Sequence, residues 1–219
     1  MKLKIFKNKK GQSLVELVVA IGVITIGLFS VWNLFLSNFN GEQEAGARIL
    51  SVNLAREGIE IVKNIRDSNW LAIENNDSCF YNGLTYDPCN WDSDLSDDGS
   101  GVIENLFSDD VYIDYSADII SDNQTRIYQD LSSGLYSHDS SDQATTYRRL
   151  INIKNICCDD ADADLKCDDL SIDFYVKDIG ISCAASELKV GLDVKSTVSW
   201  LIRDQARQLS VEERLFNWK

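Results

Sequence analysis

Apolar and polar residues fall along this 219-residue chain in three successive patterns. The first is an apolar run over residues 14–39, broken by one charge, Glu16; residues 17–39 are 23 positions without a charged side chain. At 1.5 Å rise per residue that is about 34 Å of helix, enough for a bilayer core of about 30 Å. The second pattern is a one-faced stripe. Ala45, Ile49, Val52, Ala55, Ile59, Val62 and Ile65 recur at intervals of three and four, the repeat of one helix face. Glu57, Glu60, Lys63, Asn64 and Asp67 occupy the other side. The two patterns predict helix from residue 12 to about Arg66, with a membrane half over 12–40 and an amphipathic half over 41–67. A weak point is expected at 38–41, because Gly41 and Gly46 each cost up to about 1 kcal/mol relative to alanine. Helix of that extent is roughly 80 Å long, more than a compact domain of this size needs.

The third pattern is alternation near the C-terminus. Residues 146–156 alternate, with Leu150 out of phase. Residues 189–200 place Val190, Leu192, Val194, Val198 and Trp200 on one face, and residues 208–218 do the same with Leu209, Val211 and Leu215. Residues 170–176 are a shorter candidate strand. Alternation of this kind implies an antiparallel sheet with one buried face, and the helix stripe is the surface to cover it. The predicted fold class is α+β: a long N-terminal helix packed on a C-terminal antiparallel sheet over residues 146–219. Residues 68–145 are rich in Asp, Ser and Asn and show little pattern beyond a candidate strand at 111–115. They read as an acidic, variable loop region, the kind of segment that often carries function.

Charge sharpens this picture. Lys2, Lys4, Lys7, Lys9 and Lys10 precede the apolar run, so residues 1–11 are a basic segment expected to stay in the cytoplasm while the head lies outside. The apolar run is longer than the 7–15 residues of an ordinary secretory signal, and no small-residue cleavage site follows it, so the anchor is retained. The formal net charge is −14; residues 12–219 hold 16 basic and 35 acidic residues, a charge of −19. Nucleic acid is not an expected partner of so acidic a surface, since phosphate binding needs clustered Lys and Arg. Glu16 is expensive in hydrocarbon, about 2.5–3.5 kcal/mol at mid-bilayer. It is either solvated at headgroup depth or paired with a cation.

Six cysteines, Cys79, Cys89, Cys157, Cys158, Cys167 and Cys183, fit disulfides in an oxidising exterior. They allow 15 pairings; a local Cys79–Cys89 bridge would staple the loop between them. Asp160, Asp162, Asp164 and Asp168 alternate like the first positions of a calcium loop. However, Leu165 stands where an EF-hand needs glycine and Ser171 where it needs glutamate, which excludes an EF-hand. A solvated acidic hairpin is the expected reading, with calcium held by an irregular loop as the alternative. Enzyme chemistry is not expected. The one histidine, His138, sits beside Asp139 and Ser140 in a Ser/Asp-rich loop, which makes no triad. Zinc spacings and glycine-rich phosphate loops are missing.

Lys9-Lys10-Gly11 followed by Gln12-Ser13-Leu14-Val15-Glu16-Leu17 and an apolar helix resembles the N-terminus of type IV prepilins and type II secretion pseudopilins. The resemblance implies cleavage after Gly11 by a prepilin peptidase, methylation of the new N-terminus at Gln12, and pairing of Glu16 with the N-terminal ammonium of a neighbouring subunit. One residue departs from the family pattern: the first mature residue is usually Phe, and here it is Gln12. The segment from Ala55 to Trp70 is similar to the helix end of a subgroup of prepilin-like proteins. Tyr147-Arg148-Arg149, the strand ending in Trp200 and the closing Leu215-Phe216-Asn217-Trp218 resemble the minor-pilin branch. Some pseudopilins bind calcium in a C-terminal loop. The implied protein is a non-enzymatic minor pilin or pseudopilin with a pilin-like fold. Its implied partners are other pilin subunits and the assembly platform, and its places are the inner membrane as precursor and the cell surface as filament. Two alternatives remain: an unprocessed single-span surface protein with a disulfide-bonded head, and a pseudopilin of a type II secretion or DNA-uptake machine.

Overall fold

The computed structural model describes residues 12–95, 99–106, 111–159, 167 and 174–217. The chain divides into two compact units, Met1–Ala47 and Arg48–Lys219. Helix α1 (Gln12–Asn75) runs through both. It passes the expected weak point without a break and continues nine residues beyond Arg66. It ends where Asn76 turns left-handed (φ 56°). There the Asn76 N–H reaches the Ile73 carbonyl at 3.2 Å and the Asp77 N–H reaches Ala72 at 2.8 Å. That crossed pair of bonds satisfies the last carbonyls, and asparagine tolerates the left-handed position better than most residues.

In the second unit the strands are β1 (Cys79–Tyr81), β2 (Leu84–Tyr86), β3 (Ser100–Glu104), β4 (Tyr112–Asp114), β5 (Arg126–Gln129), β6 (Tyr136–Ser137), β7 (Gln143–Asp159), β8 (Phe174–Val176), β9 (Glu187–Ile202) and β10 (Gln205–Phe216). β1 and β2 form a separate hairpin. The rest make an eight-stranded sheet in the order β10-β9-β7-β3-β4, with β5 and β8 also pairing with β7 and β6 pairing with β5. Every pairing is antiparallel. The fold is α+β, a long helix on an antiparallel sheet. The expected strand at 111–115 is β4, and the three long alternating stretches are β7, β9 and β10. Among the described residues the loop-rich region holds five further short strands as well as the end of α1, which its low periodicity did not reveal.

The core lies between α1 and one sheet face. Ile59, Val62 and Ile65 pack with Ile151, Ile153, Leu192, Val194 and Leu215. Leu54 and Ala55 pack with Ile127 and Val198. Burying each large aliphatic side chain contributes roughly 1.5–3 kcal/mol. Gly58 marks the closest approach: a Cβ there would lie 2.7 Å from both Ile151 Cδ1 and Ser196 Oγ. The expected stripe needs one correction, since Ile49 is 63% exposed and Ala45 is exposed too, while Leu54, absent from the stripe, is buried.

The phase slip at Leu150 has a physical cause. Both faces of β7 are covered at that point. Leu150 turns away from α1 into a small second core with Val102 and Ala117. Its neighbour Arg149 takes the helix-facing position and is 1% exposed. Arg149 Nη1 donates to the Leu54 carbonyl at 3.3 Å and to Glu57 Oε2 at 3.0 Å. Burial pushes its guanidinium pKa down, and Glu57 works against that shift.

Candidate functional site

The first unit is described here by itself. Its apolar segment is helical throughout, and the large apolar side chains of residues 14–39 are between 44% and 71% exposed. The most apolar 18-residue window has none of its residues buried. By length and composition this helix is able to cross a membrane. Glu16 lies in it, two positions past the start of the apolar run, and is exposed. Thr25 and Ser30 return their hydroxyls to carbonyls of the preceding turn, Gly22 and Ile26, both at 2.9 Å. Their polar atoms are thereby satisfied within the helix, as an apolar surrounding requires. Gln12, the first described residue, is helical. Gly11 and the rest of the basic leader lie outside the described residues.

Three disulfides tie the second unit: Cys79–Cys89, Cys157–Cys183 and Cys158–Cys167, with Cα separations of 5.2, 5.8 and 6.4 Å. All lie in the normal range for a bridge. Cys157 and Cys158 are adjacent on β7 and bond in different directions, because successive strand side chains point to opposite faces. This is why two neighbouring cysteines do not compete for one partner. The Cys79–Cys89 bridge closes beside the end of α1 around Asn69, which is fully buried. Asn69 Nδ2 donates to the carbonyls of Trp91 at 3.2 Å and Ser93 at 2.9 Å, and its Oδ1 accepts from Tyr81 at 2.6 Å. This network fixes the β1–β2 excursion to the helix. Burial is the main reason the Tyr81 hydroxyl pKa is pushed up to about 12.

Asp160, Asp162, Asp164 and Asp168 lie outside the described residues; the Cys158–Cys167 bridge that brackets the first three is described. Cys157, Cys183 and Glu187 bring possible ligand atoms within 4.8 Å of one another. Both sulfurs are consumed in a disulfide, and calcium takes oxygen ligands. Glu187 is instead bound to Lys177 at 2.8 Å and accepts from the Ala184 N–H at 2.7 Å, interactions that hold its carboxyl at about 2, the Lys177 bond foremost.

His138 is buried, with Nδ1 3.0 Å from the Gln124 carbonyl. That contact assigns the proton to Nδ1 and leaves Nε2 as an acceptor. Nε2 has no hydrogen-bond partner, Ser140 included. Burial first, and then the Arg149 charge, pulls the ring pKa down to about 3, so the ring is neutral at physiological pH. Asp139 does not orient His138; its carboxylate accepts from the Ser141 N–H at 2.8 Å. The three residues line an open cavity of about 800 Å³ together with Glu104, Asp130 and Asp142.

No family model, curated protein or solved structure matches this chain. The features that sequence reasoning missed are the Arg149–Glu57 pair, the Asn69 network and the cavity around His138. Only Arg149 left a signal, as a charge adjoining the one residue out of phase in an otherwise alternating strand.

Proposed function

We propose that the protein is a pilin-like structural subunit, a minor pilin or pseudopilin, made as a membrane-held precursor and assembled into a helical filament. Prepilin peptidase removes residues 1–11 and methylates Gln12. Apolar helix packing supplies most of the assembly energy. Glu16 pairs with the N-terminal ammonium of a neighbour and sets the register; burying such a pair adds little net stability, so its role is alignment. The observation that carries this reading is α1 itself. The helix exposes a long, predominantly apolar stretch over residues 14–39, and from Leu54 to Ile65 it is the buried spine of a disulfide-tied α+β head. A cell-surface location fits the three disulfides, since oxidised cysteine pairs persist outside the cytoplasm.

The test is Glu16→Ala in the full chain, expressed with its filament machinery. The expected result is a membrane-held subunit with a protease-resistant head that is absent from the sheared filament fraction. Incorporation at the normal level contradicts the assigned role of Glu16. A head that stays folded while the leader remains attached favours the single-span surface protein instead.

A further inference from the structure

We infer that the head rests on the phospholipid surface of the membrane that anchors the chain, through two turns at the end where α1 enters it. Leu201 of the β9–β10 turn and Leu131 and Leu135 of the β5–β6 turn enter the interfacial layer. The inference rests on the membrane-held precursor of the reading above; cleavage and filament assembly play no part in it.

The direction of the turns follows from the packing. Ile59, Val62 and Ile65 of α1 meet Leu192 and Val194 of β9, whereas the earlier Leu54 and Ala55 meet Val198. β9 therefore runs antiparallel to the helix, and its turn to β10 projects back toward the start of α1. The β5–β6 turn projects the same way. Arg148 on β7 pairs with Arg126 and with Ser199. From that level β5 continues to Gln129 and β9 to Ile202, both beside the first residues of β7.

Chain lengths set how far the turns reach. Phe39, the last residue of the apolar run, and Leu54 are fifteen positions apart on one helix. That is about 22 Å at 1.5 Å per residue. Arg203, in the β9–β10 turn, stands five positions beyond Val198, about 16 Å of strand. Leu131 stands four positions beyond Ile127, which also packs with Leu54, about 13 Å. Measured this way, the turns fall short of the end of the apolar run by about 6–9 Å. The polar layer on one side of a bilayer is about 5–8 Å deep, the margin between a core of about 30 Å and a total of about 40–45 Å.

The residues on the turns suit that layer. Leu131 is 74% exposed, Leu201 55% and Leu135 47%. One exposed leucine needs no explanation, but here three stand on two turns that leave the sheet at one end. Ile49, the stripe residue that faces away from the sheet, is 63% exposed within two helical turns of Leu54. Arg203 and Arg207 stand close to Leu201, and arginine lays its stem along apolar surface with its charge in the polar layer. Asp130 and Asp204 lie in the same two turns, so charges of both signs are present. The surface that fits is therefore zwitterionic phospholipid, held by the leucines.

The test uses the full chain in phosphatidylcholine vesicles, with the photoreactive residue p-benzoylphenylalanine replacing Leu201. A second preparation carries it in place of Leu84, which is 59% exposed. Leu84 pairs with Tyr81, whose hydroxyl donates to Asn69 near the other end of the head half of α1. Irradiation is expected to add the mass of one phospholipid to the chain labelled at 201, with a yield at least tenfold lower at 84. Adding Leu131→Asp to the chain labelled at 201 is expected to lower the yield at least threefold. The melting temperature of the head should not change, because the Leu131 side chain is exposed. No lipid adduct at 201, equal yields at the two positions, or a yield untouched by Leu131→Asp overturns the inference. Alkaline carbonate extraction is run on the same vesicles. A chain retained by the vesicles without the adduct removes the head contact alone. A chain released by carbonate removes the membrane anchor as well.

Discussion

The two halves of α1 share one secondary structure and meet opposite surroundings. From Leu54 to Ile65 the apolar face is at most 3% exposed against the sheet, whereas residues 14–39 keep 44% or more of every large apolar side chain exposed. Helix formation therefore does not distinguish the halves; the source of the partner does. The head half completes its core within its own chain. The apolar half needs one from outside: under the proposed reading, lipid in the precursor and other copies in the filament. A mutation should accordingly act on head stability in one half and on localisation or assembly in the other.

The largest expected contrast comes from a buried charge. Val62→Asp puts a carboxylate at a fully buried position. An unpaired buried charge belongs to the few changes that cost more than about 4 kcal/mol. Loss of the cooperative thermal transition of the head checks it, while Val18→Ala should leave that transition in place. The next effect separates the members of one ion pair. Glu57→Gln leaves the Arg149 guanidinium buried without its counter-charge and should cost about 3–5 kcal/mol. Arg149→Met should cost less, because Glu57 is 37% exposed and can be solvated. Denaturant titration of both variants orders them, and the reverse order would sink this account of the pair.

His138 gives a smaller, pH-dependent effect. Its folded pKa of about 3 lies below the unfolded value of 6.5, so the unfolded chain binds more protons between the two. Stability is therefore complete above pH 6.5 and falls by about 1.4 kcal/mol per unit as pH drops toward 3. Arg149 strengthens the effect, and Glu104, whose pKa is raised mainly by burial, works in the opposite direction. His138→Asn should flatten the slope measured between pH 6.5 and 4.5; an unchanged slope would assign it to other groups. The smallest contrast uses two glycines of the one helix. Gly58→Ala drives a Cβ into Ile151 and Ser196 and should destabilise the head by about 1–3 kcal/mol. Gly41→Ala meets nothing within 4 Å and should leave head melting unchanged or slightly raised, with helix propensity gaining up to about 1 kcal/mol.

The elements legible in the sequence are those whose pattern repeats over many residues. The apolar run and the long strands β7, β9 and β10 are of this kind, as their side chains alternate or recur against one large surface. The strands from β1 to β6 were mostly hidden because each has five residues or fewer. They are held by strand pairing, a disulfide and single buried groups such as Asn69 rather than by period. The end of α1 was placed early, at about Arg66, because the apolar stripe stops at Ile65. Asn69 is in fact turned inward to cap loop carbonyls, and the helix continues through Trp70, Leu71, Ala72 and Ile73. The disulfide pairing was open because it depends on which strands lie beside β7. At the N-terminus Glu16 stands out in the sequence as the one charge in an apolar run, whereas the cavity around His138 draws on three separate segments that no local pattern links.

The central claim is that the apolar half of α1 becomes a filament core after a specific cut. The most direct measurement is the intact mass and N-terminal sequence of the full chain made with and without an active prepilin peptidase. The account predicts loss of residues 1–11 and a methyl group on Gln12 only when the peptidase is present. Retention of Met1 to Gly11 beside a control prepilin that is cut in the same cells would contradict it and leave a single-span anchor with a disulfide-tied head.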